Sequence, residues 1–121
     1  ASACGRTLSL EEGEQSDLLL AAVLHDCGVS STRLHTRLLD GDLSFEEAHG
    51  HAEAGADLLA RFPPLARIAS VVRLHHTPWD SPERLGVDAR TALLANLVFL
   101  CARVAARLAA LRGRAPLLET D

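Results

Sequence analysis

Residues 18–28 read Leu18-Leu19-Leu20-Ala21-Ala22-Val23-Leu24-His25-Asp26-Cys27-Gly28, an unbroken apolar run that ends in an imidazole, a carboxylate and a glycine. Leu and Ala are strong helix formers. The pattern predicts a helix over Gln15–Cys27, with Ser16 or Asp17 as its cap and Gly28 as its stop. Asp26 decides what the helix is for. A carboxylate at the end of so apolar a segment is costly to bury unless it is paired or metal-bound, and a helix C-terminus favours a cationic partner. A divalent metal ion satisfies both conditions.

Working outward, the turn signals cut the rest of the chain into further helical pieces. A short helix is expected over Ser31–Leu39, with Ser31 or Thr32 as cap, followed by the turn Asp40-Gly41-Asp42. Ser44-Phe45-Glu46-Glu47 has the capping-box spacing and opens a helix that runs to about Arg61. Pro63-Pro64 breaks it and starts the next, over Leu65–His76, which stops before Pro78. Thr77–Gly86 reads as a loop. A long final helix then runs from Asp88, its cap, to about Arg112, with Leu93, Leu94, Leu97, Val98, Leu100, Cys101, Val104, Leu108 and Leu111 at helical spacing. Gly113 and Pro116 are expected to end it. No stretch alternates like a strand. The expectation is an all-α bundle of about five to six helices, forming one domain over residues 1–121.

Composition narrows the function. Of 121 residues, 48% are hydrophobic and 3% aromatic, with no Tyr and no Met, so Leu, Ala and Val must fill the core. The formal net charge is -4 and all 12 basic residues are Arg. That balance gives no case for binding long nucleic acid, whereas scattered guanidinium groups suit a small phosphate ligand. Cys4, Cys27 and Cys101 have no C-x-x-C spacing and point to a reducing compartment, hence the cytoplasm, rather than a disulfide framework. There is no basic stretch followed by an apolar run at the N-terminus, and the run Leu18–Leu24 is too short to cross a membrane. The chain has no initiator Met and is expected to be a piece of a longer protein.

Six histidines are more than average usage, and their placement says more than their number. His51 lies in His-Ala-Glu-Ala-Gly, with Gly55 four residues on and therefore on the same helix face. His75-His76 follows the apolar segment Ile68–Leu74. Imidazole plus carboxylate is a ligand set for iron, manganese or zinc. His35 and His49 read as surface or capping residues, Cys27 and Cys101 as small core residues, and Arg33, Arg37, Arg67 and Arg73 as solvated faces.

The order Leu-His-Asp-Cys-Gly at 24–28, His-Ala-Glu-Ala-Gly at 51–55 and His-His at 75–76 resembles the HD superfamily of metal-dependent phosphohydrolases, specifically its HD-GYP branch. The segment Ala95–Val104 is similar to that family's final helix, so the resemblance covers about residues 8 to 111. It implies a helical bundle around one or two divalent metal ions. In that arrangement Asp26 bridges, His25 binds the first metal, and His51, His75 and His76 bind the second, with His25 and Asp26 at the catalytic centre. It also implies hydrolysis of a phosphate-containing small molecule, with cyclic di-GMP, a cyclic dinucleotide, as the branch's substrate. Flanking receiver or sensor domains are common in that branch, and the long final helix suits a homodimer. The chain departs from the pattern at Ala102, where the family has an Asp ligand, and at Val29, where it has a Lys. Thr77 stands where an acidic residue is expected, and no Gly-Tyr-Pro follows.

Three functions fit these residues: a working phosphodiesterase, a degenerate HD domain that binds metal or nucleotide as a signalling module, and a helical bundle with incidental histidines. Metal content separates the third from the others, and an activity assay separates the first two.

Overall fold

The structure, a computed structural model, describes residue 3 and residues 10–119, the last six of these in backbone only. Cys4 lies outside the described residues. The elements are α1 (Glu12–Leu24), α2 (Thr32–Asp40), α3 (Phe45–Ala60), α4 (Ala66–Leu74) and α5 (Ala89–Glu119), with short 3-10 turns at Pro63–Leu65 and Pro82–Arg84. Among the described residues there is no strand, and the chain is all-α.

Helix α4 is the hub and packs against α1, α3 and α5. Its Ile68, Ala69, Val71, Val72 and Leu74 are buried. They meet Leu18 and Ala21 of α1, Ala56 and Leu59 of α3, and Leu94, Ala95, Leu97 and Val98 of α5. No aromatic ring is part of this core. Small residues take that space, and Ala21, Ala52, Ala56 and Ala95 are fully buried where helices approach. Burying a Leu, Ile or Val side chain contributes roughly 1.5–3 kcal/mol, so the hub supplies much of the stability.

The expected caps hold at three helices. The Ser31 hydroxyl accepts from the Leu34 amide at 3.1 Å, Ser44 from Glu47 at 3.1 Å, and the Asp88 carboxylate from Thr91 at 2.9 Å. Ser44 also donates to the Glu47 carboxylate at 3.0 Å, so the box closes through the hydroxyl. At α1 the expectation fails. The helix begins at Glu12, and neither Ser16 nor Asp17 caps it. Asp17 is buried instead and takes Arg67 of α4 at 2.9 Å and Arg90 of α5 at 3.9 Å. A carboxylate inside the bundle needs cations more than α1 needs a cap. Arg67 lies on a solvated face as expected, Arg73 is half-buried, and both are ion-paired, the latter to Glu53 and Asp57.

Helix α5 continues past Gly113 and Pro116 to Glu119. A lone glycine weakens a helix by about 1 kcal/mol without ending it, and proline kinks a helix as readily as it stops one. The stretch Ala89–Gly113 is long and apolar enough to cross a membrane by length and composition alone. Leu94, Ala95, Leu97 and Val98 in its first half are core, and apolar side chains such as Leu93, Leu100, Val104, Leu108 and Leu111 are exposed.

Candidate metal centre

Helices α1 and α4 end in the same place. α1 stops at Leu24 and α4 at Leu74, so His25-Asp26 and His75-His76 sit in the turns just beyond them. The third contributor, His51, projects from the middle of α3 and is buried. Gly28 makes this convergence possible. A Cβ there would collide with the His51 carbonyl oxygen and stand 2.5 Å from the Gly55 amide nitrogen. Without a side chain, the His25–Gly28 turn lies directly on the α3 backbone.

All five residues expected as ligands are brought together. His51, His75 and His76 form one set of ligand atoms, and His25, Asp26 and His75 form another, each set within 4.8 Å. Asp26 connects them. Its Oδ2 is 3.0 Å from His25 Nε2, and its Oδ1 is 3.2 Å from His51 Nε2 and 3.9 Å from His75 Nε2. The second set therefore shares His75 with the first, where the resemblance places His75 with the second metal only.

The backbone orients the rings. The Nδ1 atoms of His25, His51 and His75 face the carbonyl oxygens of Ala22 (2.6 Å), Glu47 (3.3 Å) and Val72 (2.5 Å). A carbonyl can only accept, so each Nδ1 carries a proton and Nε2 turns inward as the free donor atom, the arrangement that holds metal-binding imidazoles in place. Asp26 Oδ1, His51 Nε2 and His75 Nε2 are buried and have no hydrogen-bond partner. Orphaned buried polar atoms are costly, and three that face one another fit a divalent cation.

The charges agree. Burial works to raise the Asp26 carboxyl, but the adjoining His25 and His51 rings outweigh it and hold the group well below the usual carboxylate range. Burial pushes His75 down to about 3, assisted by the neighbouring His76. Burial, then His51, pushes His76 down to about 4. Burial also depresses His25, but its pairing with Asp26 prevails and raises it. Neutral His75 and His76 beside an ionised Asp26 are the protonation states that metal coordination requires.

The remaining histidines stay outside. His49 lies 3.8 Å from Glu53 and stacks on Phe45, and His35 is exposed. Ala102 is half-buried on α5 and offers no donor atom. Sequence reasoning missed three side chains around the centre. Phe99 meets the His76 ring edge-on at 5.9 Å, and the Arg103 guanidinium lies over Phe99 at 5.6 Å. Arg84 donates to the carbonyls of Leu74, Thr77 and Pro78, latching the loop that follows His76. The i,i+4 spacing of Phe99 and Arg103 was the one available signal for that pair, and nothing local marks Arg84.

Residues 2–117 match the HD domain family. Over 104 residues the chain is 34% identical to the 3'3'-cGAMP-specific phosphodiesterase 1 of Vibrio cholerae serotype O1, a match that covers 86% of this chain and 24% of that protein. The chain therefore spans about a quarter of that relative's length. No solved structure matches. With the helical bundle, the His-Asp turn and the family match over nearly the whole length, the chain belongs to the HD domain family.

Proposed function

We propose that this domain is a metal-dependent phosphohydrolase that cleaves a phosphodiester, with a cyclic dinucleotide as its substrate class. The observation that carries the reading is the meeting of Asp26 Oδ1 with the Nε2 atoms of His51 and His75, all three buried and unpartnered. Similarity to a phosphodiesterase named for 3'3'-cGAMP supports the substrate class. The motif order supports the HD-GYP branch, with cyclic di-GMP as a second candidate substrate.

His51, His75 and His76 would hold one cation and His25, Asp26 and His75 would hold another, with His75 in both sets and Asp26 beside His51 at 3.2 Å. A bound divalent cation supplies Lewis acidity, which neutralises charge building on phosphoryl oxygens and makes water a stronger acid. The chain's own groups do the rest. The carbonyls of Ala22, Glu47 and Val72 keep the imidazoles in the inward tautomer. Asp26 stays ionised, and the His25 ring lies 3.0 Å from its Oδ2.

The test is turnover. The purified chain is given 3',3'-cGAMP, cyclic di-GMP and a generic phosphodiester with manganese, iron or zinc. Linear dinucleotide or alcohol product is expected, and no turnover with any metal defeats the reading. Ala102 and Val29 favour a second one, a domain that binds metal and nucleotide without cleaving it. That outcome appears as binding without product.

A further inference from the structure

Two different surfaces flank the His-Asp cluster. On one side, a groove of about 560 Å³ opens beside Asp26, lined among others by Val29, Ser30, Ser31, Thr32 and His35. None of its lining residues is an arginine. On the other side stands α5. There Phe99 lies edge-on to His76 at 5.9 Å, and the Arg103 guanidinium sits 5.6 Å from the Phe99 ring centroid. Phe99 and Arg103 are one helical turn apart, so the ring forms a shelf under the guanidinium. Among the described residues Arg103, like Arg33, Arg61, Arg84, Arg107 and Arg112, makes no ion pair with a carboxylate, and of these it is the one on the ring that meets His76.

A phosphodiester is anionic, and a planar guanidinium fork matches phosphoryl oxygens two at a time. An arginine without a carboxylate, steadied on an aromatic ring and next to the cluster, keeps its donors open for such an anion. We propose that Arg103 is a substrate-binding residue, whose guanidinium, shelved on Phe99 beside His76, takes a phosphoryl oxygen of the ligand held at the His-Asp cluster. The inference rests on the phosphohydrolase reading for its ligand class. It goes further in assigning α5 an anion-recognition role.

The experiment uses the full chain loaded with manganese, in wild-type form and as Arg103→Gln, Arg103→Lys and Phe99→Leu. Inorganic phosphate binding is measured by calorimetry, KM and kcat with bis(p-nitrophenyl) phosphate, and metal content by elemental analysis. Loss of a charged hydrogen bond weakens binding about tenfold or more. Arg103→Gln is therefore expected to raise both the phosphate Kd and KM by that factor, with a smaller change in kcat and no change in metal content. Arg103→Lys should recover part of the affinity, and Phe99→Leu should lose part of it. Phosphate binding that is unchanged in Arg103→Gln, or absent from the wild type, overturns the inference. The two readings fail separately. Arginine-dependent phosphate binding without turnover defeats hydrolysis and keeps this site, whereas turnover with an unmoved KM keeps hydrolysis and defeats this site.

Discussion

Gly28 rests its backbone on Gly55, close enough that a Cβ built on Gly55 meets the Gly28 nitrogen at 3.2 Å and one built on Gly28 stands 2.5 Å from the Gly55 nitrogen. This contact fixes how far the His25-Asp26 turn lies from His51. Gly28→Ala must push the turn off α3. Overpacking of this kind costs roughly 1–3 kcal/mol and occasionally more, so its Tm should fall and its metal content with it. Gly55→Ala adds a methyl whose nearest contacts are 3.2–3.4 Å away and should be milder on both counts. Thermal unfolding with and without metal checks this. A Gly28→Ala chain as stable and as metal-loaded as wild type would show that the close approach does not set the site.

His75 is the one histidine present in both sets of ligand atoms. A metal that binds only the folded chain stabilises it by about 2.7 kcal/mol at a free concentration of 100 Kd. Manganese or zinc should therefore raise the wild-type Tm, and His75→Ala should abolish that rise. The comparison is between shifts, because His75→Ala also leaves a buried gap. His35→Ala, outside the cluster, should keep the full shift. A metal-induced shift that survives in His75→Ala removes the centre from the place proposed for it.

Much of this could be read from the chain, and the failures have physical causes. The apolar periodicity of α5 and the local caps Ser31, Ser44 and Asp88 depend on neighbours a few residues away, so they are legible. The five candidate ligands were legible for a similar reason: each stands beside a helix end or a small residue. Asp17 was not, because its role as the junction of Arg67 and Arg90 depends on three helices packing together. Gly28 reads as a helix stop, and its contact with α3 has no local signature. Arg84 and Arg103 escaped for the same reason. An arginine on a surface helix or loop looks solvated until the fold supplies the carbonyls or the aromatic ring that hold it.

Acid should unfold the metal-free chain more readily than its overall composition suggests. The ordinary imidazole value is 6.5, and burial depresses His75 to about 3 and His76 to about 4. Between those limits the unfolded chain binds protons that the folded chain refuses, so stability falls as pH is lowered from about 6.5. Asp26, held below the carboxylate range, adds a loss at the acid end of the same sign. His25 works the other way. Its raised value gives a stabilisation that is complete below 6.5 and fades as pH rises through the folded value. Two depressed imidazoles against one raised one leave a net decline. Denaturant midpoints measured in chelator from neutral pH to about pH 4 should fall, and should fall less steeply in His75→Asn. A midpoint that holds or rises on acidification contradicts the neutral cluster.

Ala102 ends in a methyl group one residue before Arg103, at the position where the resemblance places a metal-binding carboxylate. Replacing it with Asp returns an oxygen donor of the kind that manganese and iron favour. If the missing ligand is what limits the His25 side of the centre, Ala102→Asp should raise the metal content per chain above that of wild type. Turnover should rise with it. In chelator the added carboxylate would stand half-buried on α5 without a cation, and that costs stability. The variant should therefore unfold at a lower temperature without metal and gain more on metal addition than wild type does. Arg103 is the competing partner. Should the new carboxylate pair with that guanidinium instead, metal content would stay unchanged and the chelated Tm would hold or rise. That pattern would show that the loss at position 102 is not what sets the metal count.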